Sequence, residues 1–209
     1  EGLKETFVQL GVDVIVDGGQ SMNPSAEDFI EAFEEVNADV IFVFPNNSNI
    51  VLTAQQAAHL YETSDVRVIE STTIGSGYAS LSMLDVTSDD PDQIAEELRM
   101  AMDGVVTAEI SHCVRNACMD GLDMHIGDYI GFVGKKLLAV DTDRFKTVCD
   151  TIDKIGLASH DVCIVFCGKE STEEESIKIE KYLKSNYKGK EIYIIDGGQD
   201  IYDYIIIVE

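Results

Sequence analysis

Short apolar runs alternate with helical periods along the first half of the chain. The runs Val12–Val16, Val40–Phe44 and Val66–Ile69 have the length and composition of buried strands. The segment after the first run begins at Ser25, a good helix cap, and its apolar face consists of Phe29, Phe33 and Val36. The segment after the second run follows Asn49, and its inward positions are Ala54, Ala57, Ala58 and Tyr61. This alternation predicts a parallel sheet with right-handed crossovers.

The pattern changes near Gly104, after a helical stretch over residues 92–102. Val105–Val114, Tyr129–Val133 and Lys136–Val140 are typical of neighbouring antiparallel strands, with turns at Asp120, Gly121 and Gly134. The remaining predicted elements are a helix over 145–155, a strand over 162–166, an acid-rich helix over 172–186 and strands over 192–195 and 202–208. We therefore predict two α/β lobes: residues 1–104 with a parallel sheet and flanking helices, and residues 105–209 with a mixed sheet and helices.

Small polar residues follow the strands of the first lobe, at the sheet edge where ligands bind in such folds. The turn Asp17-Gly18-Gly19-Gln20 has a second copy at Asp196–Gln199. Paired glycines let backbone amides approach an anion, a carboxylate or a partner's loop, but a tight turn with a helix cap and no ligand is the alternative. The candidate ligand- or partner-binding residues are Gly18, Gly19, Gln20, Ser21, Asn23, Ser25, Asn46, Asn47, Ser48, Asn49, Ser71, Thr72, Gly197, Gly198 and Gln199.

Charge and composition restrict the function classes. The 209 residues are 45% hydrophobic, as in ordinary soluble globular proteins, and 39 acidic against 15 basic side chains give a net charge of −24. This charge repels nucleic acid and anionic membranes and favours a partner with a basic surface, although solubility alone would also explain it. No apolar run approaches the roughly 20 residues that cross a bilayer, and no signal sequence opens the chain, so we expect a cytoplasmic protein without membrane insertion. Because the chain begins with Glu1 rather than methionine, we expect a segment of a longer protein.

Other residues capable of chemistry form no recognisable site. A zinc set could be assembled from His112, Cys113, Cys118 and His125. Their spacing matches no common zinc motif, and alternation along a strand would send the first two to opposite faces. Ser76 lies outside any nucleophile elbow. The acidic stretch Glu170–Glu175 predicts a solvated helix start, with a docking face for a basic partner as the alternative.

Several segments together resemble a known family. Gly18–Ser25, Pro45–Ile50, Gln55–Ala58 and Gly197–Tyr202 are similar, in this order and spacing, to the C-terminal region of the large, ATP-binding subunit of bacterial fatty acid kinase, a family related to dihydroxyacetone kinase. That resemblance implies an N-terminal kinase domain using ATP and magnesium, a middle dimerisation and zinc domain, and this C-terminal region. The Asp-Gly-Asp-type loop of the related kinases is absent here. The resemblance therefore implies no cofactor, metal or catalytic residue in this chain, and a homodimer formed through regions outside it.

The same region is similar in layout to the DegV-like fatty-acid-binding proteins, which serve as the small subunit of that kinase. Their loop that holds the lipid carboxylate falls on Gln20–Ser25. Their Ser-Gly-Thr loop falls on Asn46–Asn49, where this chain lacks the Ser-Gly-Thr run, and an Asp-Ser pair falls on Glu70 and Ser71. The resemblance implies a two-lobed, DegV-like (EDD-type) α/β fold.

The resemblance and the residues leave two functions open. The first is a non-catalytic domain that docks the fatty-acid-binding small subunit, so that the acyl carboxylate is held near the ATP of a kinase domain outside this chain. The second is a small-ligand-binding module whose amides bind a fatty acid carboxylate or a phosphate. An independent hydrolase or transferase is the least favoured reading, because the sequence contains no catalytic constellation.

Overall fold

The computed structural model describes residues 2–18, 23–85 and 87–209. The chain divides into a first unit, Phe7–Val105, and a second unit, Val106–Glu209 together with the residues up to Thr6. The helices are α1 (Gly2–Gln9), α2 (Ala26–Val36), α3 (Val51–Leu60), α4 (Ile74–Ser82), α5 (Pro91–Met100), α6 (Arg144–Ile155) and α7 (Glu173–Asn186), with a 3-10 turn at Leu157–Ser159. The strands are β1 (Val40–Val43), β2 (Asp65–Val68), β3 (Val106–His112), β4 (Ala117–Met119), β5 (Leu122–Met124), β6 (Tyr129–Val133), β7 (Lys136–Asp141), β8 (Val162–Cys167), β9 (Glu191–Asp196) and β10 (Tyr204–Val208). None of the helices in the described part is long and apolar enough to cross a membrane.

The first unit is built on the parallel pair β1 and β2, against which α2 and α3 pack. Its main core consists of Phe29, Phe33, Ile41, Val43, Ala54 and Ala57. Ser25 begins α2 as predicted: its Oγ accepts the Asp28 N–H at 3.2 Å, and the Asp28 carboxylate accepts the Ser25 N–H at 2.7 Å. This reciprocal capping box leaves two backbone donors satisfied at the start of the helix.

The strand predicted over residues 12–16 is wrong. Residues 14–18 have no regular secondary structure, and among the described residues the parallel sheet of the first unit has only β1 and β2. Val16 still packs against the core beside Phe29 and Phe33. An apolar run thus indicates that a segment packs against a core. A strand requires in addition a neighbouring segment that pairs with it by hydrogen bonds, and composition does not reveal that neighbour.

Helices α1 and α4 and the β4–β5 hairpin are not predicted by the sequence pattern. Helix α4 contains Gly75 and Gly77, which lower helix propensity. It forms because Thr73 and Ser76 make a capping box and because Ser80 Oγ donates to the Leu98 carbonyl of α5 at 2.7 Å. A local cap and a tertiary hydrogen bond together therefore offset the low helix propensity of the two glycines.

The second unit is built on a six-stranded mixed sheet with the order β7-β6-β3-β10-β8-β9. The predicted antiparallel neighbours β3, β6 and β7 are confirmed, and so are α6, α7, β8, β9 and β10 within a few residues. Strand β10 lies between β3 and β8, and all its residues are buried. Val148 and Ile152 of α6 and Ile179 of α7 cover one face of this sheet. The mixed, helix-covered sheet confirms the predicted α/β class.

Candidate functional site

Two strand ends of the first unit meet through Asn46 and Ser71. The Asn46 N–H donates to Ser71 Oγ at 3.0 Å, and the Ser71 hydroxyl donates to Asn46 Oδ1 at 2.7 Å. Asn46 adopts a left-handed φ of 56°, which asparagine tolerates better than most residues. Gly77 of α4 packs against the same side chain, since a Cβ there would lie 1.8 Å from Asn46 Oδ1. Ser71 is fully buried, so these groups bond to each other rather than to solvent.

The remaining candidates of the first unit are mostly exposed. Asn47 Oδ1 accepts the Asn49 N–H at 2.9 Å, a local turn that leads into α3. Helix α3 has no side-chain cap at Ile50, so its first N–H groups lack the partner that Ser25 supplies to α2. The exposed candidates of this unit are Gly18, Asn23, Ser25, Ser48, Asn49 and Thr72. Gly19, Gln20 and Ser21 lie outside the described residues.

The turn Asp196–Gln199 of the second unit is bonded to its own sheet. The N–H groups of Gly197 and Gly198 both donate to the Cys167 carbonyl, at 2.9 and 3.0 Å. The Gln199 side-chain amide donates to the Phe166 carbonyl at 3.0 Å, while its Oε1 is buried without a hydrogen-bond partner in the described part of the chain. A Cβ at Gly197 would lie 2.2 Å from that oxygen, so a larger residue there would displace the Gln199 side chain. The two amides are therefore already paired.

A charged cluster without any signal in the sequence lies in the second unit, around Arg144 at the start of α6. Its Nε donates to Glu175 Oε1 at 2.9 Å, its Nη1 to Asp203 Oδ1 at 2.8 Å and its Nη2 to the Glu170 carbonyl at 2.9 Å. Nη2 also bonds to the second Glu175 oxygen. The hydrogen bonds with Glu175 and Asp203 raise the pKa of Arg144 despite its burial. One guanidinium thus holds two carboxylates, one from α7 and one from the residue that precedes β10.

Aromatic and imidazole rings border this cluster. The Arg144 guanidinium lies 5.6 Å from the Tyr129 ring centroid and 5.9 Å from that of Tyr204. The His112 ring lies 4.4 Å from the Tyr129 ring, and its Nδ1 is 3.2 Å from Asp203 Oδ2. Burial raises the pKa of Tyr204, whose hydroxyl has no hydrogen-bond partner among the described residues. The sequence gives no local indication of the contacts between residues 112, 144, 175 and 203, because these four residues are far apart along the chain.

The residues of the possible zinc set have separate partners. Cys113 is buried and its thiol donates to the Arg115 carbonyl at 2.8 Å, whereas Cys118 is exposed. His125 Nδ1 lies 3.4 Å from Asp128 Oδ2, and His112 faces Asp203. Within residues 2–18, 23–85 and 87–209, no group of three or more His, Cys, Asp or Glu side chains is arranged to hold a metal ion. Burial raises the pKa of the Cys163 thiol to about 12, which suits a core position.

The acidic stretch before and within α7 is partly neutralised. Glu175 bonds to Arg144, and Glu174 forms an ion pair of 2.8 Å with Lys178 one turn later. Thr172 caps the helix by accepting the Glu175 N–H at 3.3 Å. The carboxylates of the first turn also complement the helix dipole. Most of this stretch therefore has a structural partner.

A partly buried carboxyl, that of Glu109, lies on β3. Burial raises the pKa of Glu109 to about 7, and a hydrogen bond from Tyr202 opposes that shift. The Phe132 and Tyr202 rings lie 6.1 Å apart between centroids. Glu109 is on the face of β3 opposite to Ala108 and Ile110, which pack against α6 and α7.

Comparison with known proteins identifies relatives of the whole chain. Residues 1–209 match the FakA-like C-terminal family, the C-terminal part of the A-like subunit of fatty acid kinase. Protein YloV of Bacillus subtilis is 30% identical over 213 aligned positions, which cover this whole chain but 37% of YloV. The chain therefore spans well under half the length of this curated relative.

Solved structures show the same fold at low identity. The fatty acid kinase B3 protein of Streptococcus pneumoniae, solved with linoleic acid, superimposes with a TM-score of 0.63 at 14% identity and covers 89% of this chain and 76% of that one. A DegV family protein of Thermus thermophilus described as binding fatty acid gives a TM-score of 0.61 at 13% identity, covering 100% and 85% of the two chains. The DegV-like architecture is thus confirmed.

Proposed function

Because this chain belongs to the FakA-like C-terminal family of fatty acid kinase, we propose that it is the non-catalytic domain that docks a lipid-carrying small subunit. The acyl carboxylate of that carrier would then be phosphorylated by a kinase domain in another part of the longer protein, with ATP and magnesium. The benefit of docking is effective concentration: a tethered carrier meets the active site far more often than a free one, and in a suitable orientation.

The observation that carries this proposal is the internal pairing of several of the candidate polar groups. Asn46 and Ser71 bond to each other, and the amides of Gly197 and Gly198 bond to the Cys167 carbonyl. A carboxylate ligand would have to displace these bonds, and each buried group left unpaired costs about 1 to 3 kcal/mol. Protein docking requires no such displacement, because it uses groups that are already exposed.

The exposed strand-end residues of the first unit are the proposed docking surface. Ser48, Asn49 and Thr72 are short and polar, and each follows closely on Asn46 or Ser71, which bond to each other. Their surroundings belong to a chain of net charge −24, which favours a carrier with a basic rim. We therefore expect association to weaken as salt screens the two surfaces.

Calorimetric titration of this chain with the purified lipid-carrying small subunit tests the proposal, with free fatty acid as a parallel ligand. We expect saturable binding of the carrier and no heat with fatty acid at high micromolar concentration. Thr72→Lys should weaken carrier binding at least about tenfold by placing a cation against the basic rim. Thr142→Lys is the matched control, since it introduces the same charge at an exposed threonine of the second unit.

The second candidate function is a module that binds a fatty acid carboxylate or a phosphate directly. Its support is the fold shared with proteins solved with fatty acids. Saturable binding of free fatty acid by this chain would favour that function over docking. Absence of carrier binding by the wild-type chain would overturn the docking proposal.

A further inference from the structure

His112 lies at the carboxyl end of β3 in the second unit, beside a buried carboxylate. Its Nδ1 is 3.2 Å from Asp203 Oδ2, which is an ion-pair distance, although the N–H···O geometry is not that of a hydrogen bond. The carboxylate side chain is only 4% exposed, whereas the imidazole is 49% exposed. The imidazole therefore has one nitrogen against a buried carboxylate, while about half of its surface is open to solvent.

The Asp203 carboxylate is held in position from several directions. Its Oδ1 accepts from Arg144 Nη1 at 2.8 Å, which leaves Oδ2 for the imidazole. Its backbone N–H donates to the Ile110 carbonyl, and its carbonyl accepts the Gly168 N–H, both at 2.8 Å. The ring of Tyr129, 4.4 Å away, packs against His112. The imidazole is thus oriented before any ligand binds.

The contact with Asp203 determines which nitrogen can react. A carboxylate beside Nδ1 favours the tautomer that carries its proton there, so the lone pair lies on Nε2. Among the described residues Nε2 has no hydrogen-bond partner. An unpaired Nε2 on a half-exposed ring, with a buried carboxylate beside Nδ1, is the arrangement by which proteins prepare a histidine base or nucleophile.

Charge restricts the substrate class. Arg144 supplies one positive charge, while Asp203 and Glu175 supply two negative charges. The cluster is therefore net negative when His112 is neutral, and the whole chain has a charge of −24. An anionic reagent is repelled, whereas an uncharged one can approach.

We propose that His112 is a nucleophilic site that takes an acyl group on Nε2 from an uncharged, activated acyl donor such as an ester. The Nε2 lone pair forms a bond to the carbonyl carbon. The bond between that carbon and the leaving oxygen breaks, and its electron pair departs with the oxygen. The Nδ1 proton, held beside Asp203 while the ring is positive, passes through solvent to the leaving oxygen. Water then takes the acyl group as a carboxylic acid and restores the neutral imidazole.

The other histidines of the chain serve as internal controls for the reactivity of His112. They are His59, His125 and His160. His125 also lies near a carboxylate, but its Asp128 partner is 3.4 Å away and also accepts the His125 backbone N–H. At 70% exposure His125 is the more accessible of the two, so access alone would make it the faster to react.

The experiment measures acylation of each histidine in the wild-type chain by diethyl pyrocarbonate, an uncharged acyl donor, with peptide mass spectrometry. We expect His112 to react at least about tenfold faster than His125. A rate at His112 equal to or below that of His125 would overturn the proposal without requiring any variant to fold. Release of p-nitrophenol from p-nitrophenyl acetate should fall to the background of the other histidines in His112→Gln.

Two variants separate reactivity from simple access. Asp203→Asn should lower the acylation rate of His112 toward that of His125, whereas the matched change Asp128→Asn should leave the acylation rate of His112 unchanged. Unfolding curves show whether each variant is folded.

Acetyl phosphate, an anionic donor, should react no faster with His112 than with His125. A faster reaction of acetyl phosphate with His112 than with His125 would contradict the assigned substrate class. An unchanged acylation rate of His112 in folded Asp203→Asn would contradict the role of the carboxylate.

Discussion

The polar strand ends of the two units are stabilised in different ways. In the first unit, Asn46 and Ser71 are neutral and bond to each other. In the second unit, Arg144 holds two carboxylates, and Glu109 is a partly buried carboxyl with a raised pKa. Neutral hydrogen bonds contribute about 1 kcal/mol each, whereas breaking a buried charge pair costs several times more. We therefore expect mutation and pH to affect the second unit most.

The largest expected effect comes from removing the Arg144 guanidinium. Arg144→Met leaves Asp203 and Glu175 without their cation, and we expect a loss of about 3 to 5 kcal/mol in the free energy of unfolding. Denaturant unfolding measures it. Lys146→Met is the matched control, because Lys146 is exposed on the same helix and should cost less than about 1 kcal/mol. Equal losses of unfolding free energy in the two variants would contradict the expectation that the ion pairs of Arg144 contribute more than those of the exposed Lys146.

The pH dependence of the free energy of unfolding gives a second test of the difference between the two units. Burial raises the pKa of Glu109 from 4.5 to about 7, so between these values the folded chain binds more protons at this site than the unfolded chain does. The Glu109 contribution to stability is therefore fully present below pH 4.5 and is lost as pH rises through about 7, by up to about 3 kcal/mol. Unfolding of Glu109→Gln across this range should lack that contribution. Parallel pH profiles for the variant and the wild type would show that Glu109 does not titrate as described.

The smallest expected effect tests the neutral strand ends. Ser71→Ala removes the hydroxyl that bonds to Asn46, and we expect the free energy of unfolding to fall by about 1 to 2 kcal/mol. Ser48→Ala, at an exposed position of the same unit, should change it by less than about 0.5 kcal/mol. If Ser71→Ala costs as much as Arg144→Met, the difference drawn between the units fails.

Local signals in the sequence were sufficient for much of the fold. Ser25 with Asp28, and Phe29 with Phe33, carry the cap and the buried face of α2 in adjacent residues. The long helices and the six strands of the main sheet of the second unit are likewise predicted from periodicity, whereas the β4–β5 hairpin is not. The predicted strand over 12–16 failed because strand pairing depends on a neighbour, and α4 was missed because its glycines are tolerated only where Asn46 and Leu98 pack against it or bond to it.

The sequence by itself determined the α/β class, the net charge and the polar character of the strand ends, because each depends on composition or on spacing within a few residues. Tertiary structure alone decided which polar groups are free. The amides of Gly197 and Gly198 bond to Cys167, about thirty residues earlier, and Arg144 bonds to Asp203 across 59 residues. His112 lies beside the Asp203 carboxylate because β3 pairs with β10, which is far from it along the chain. Residue types can therefore suggest a site, but the partners that occupy or expose each group are set by packing between distant segments.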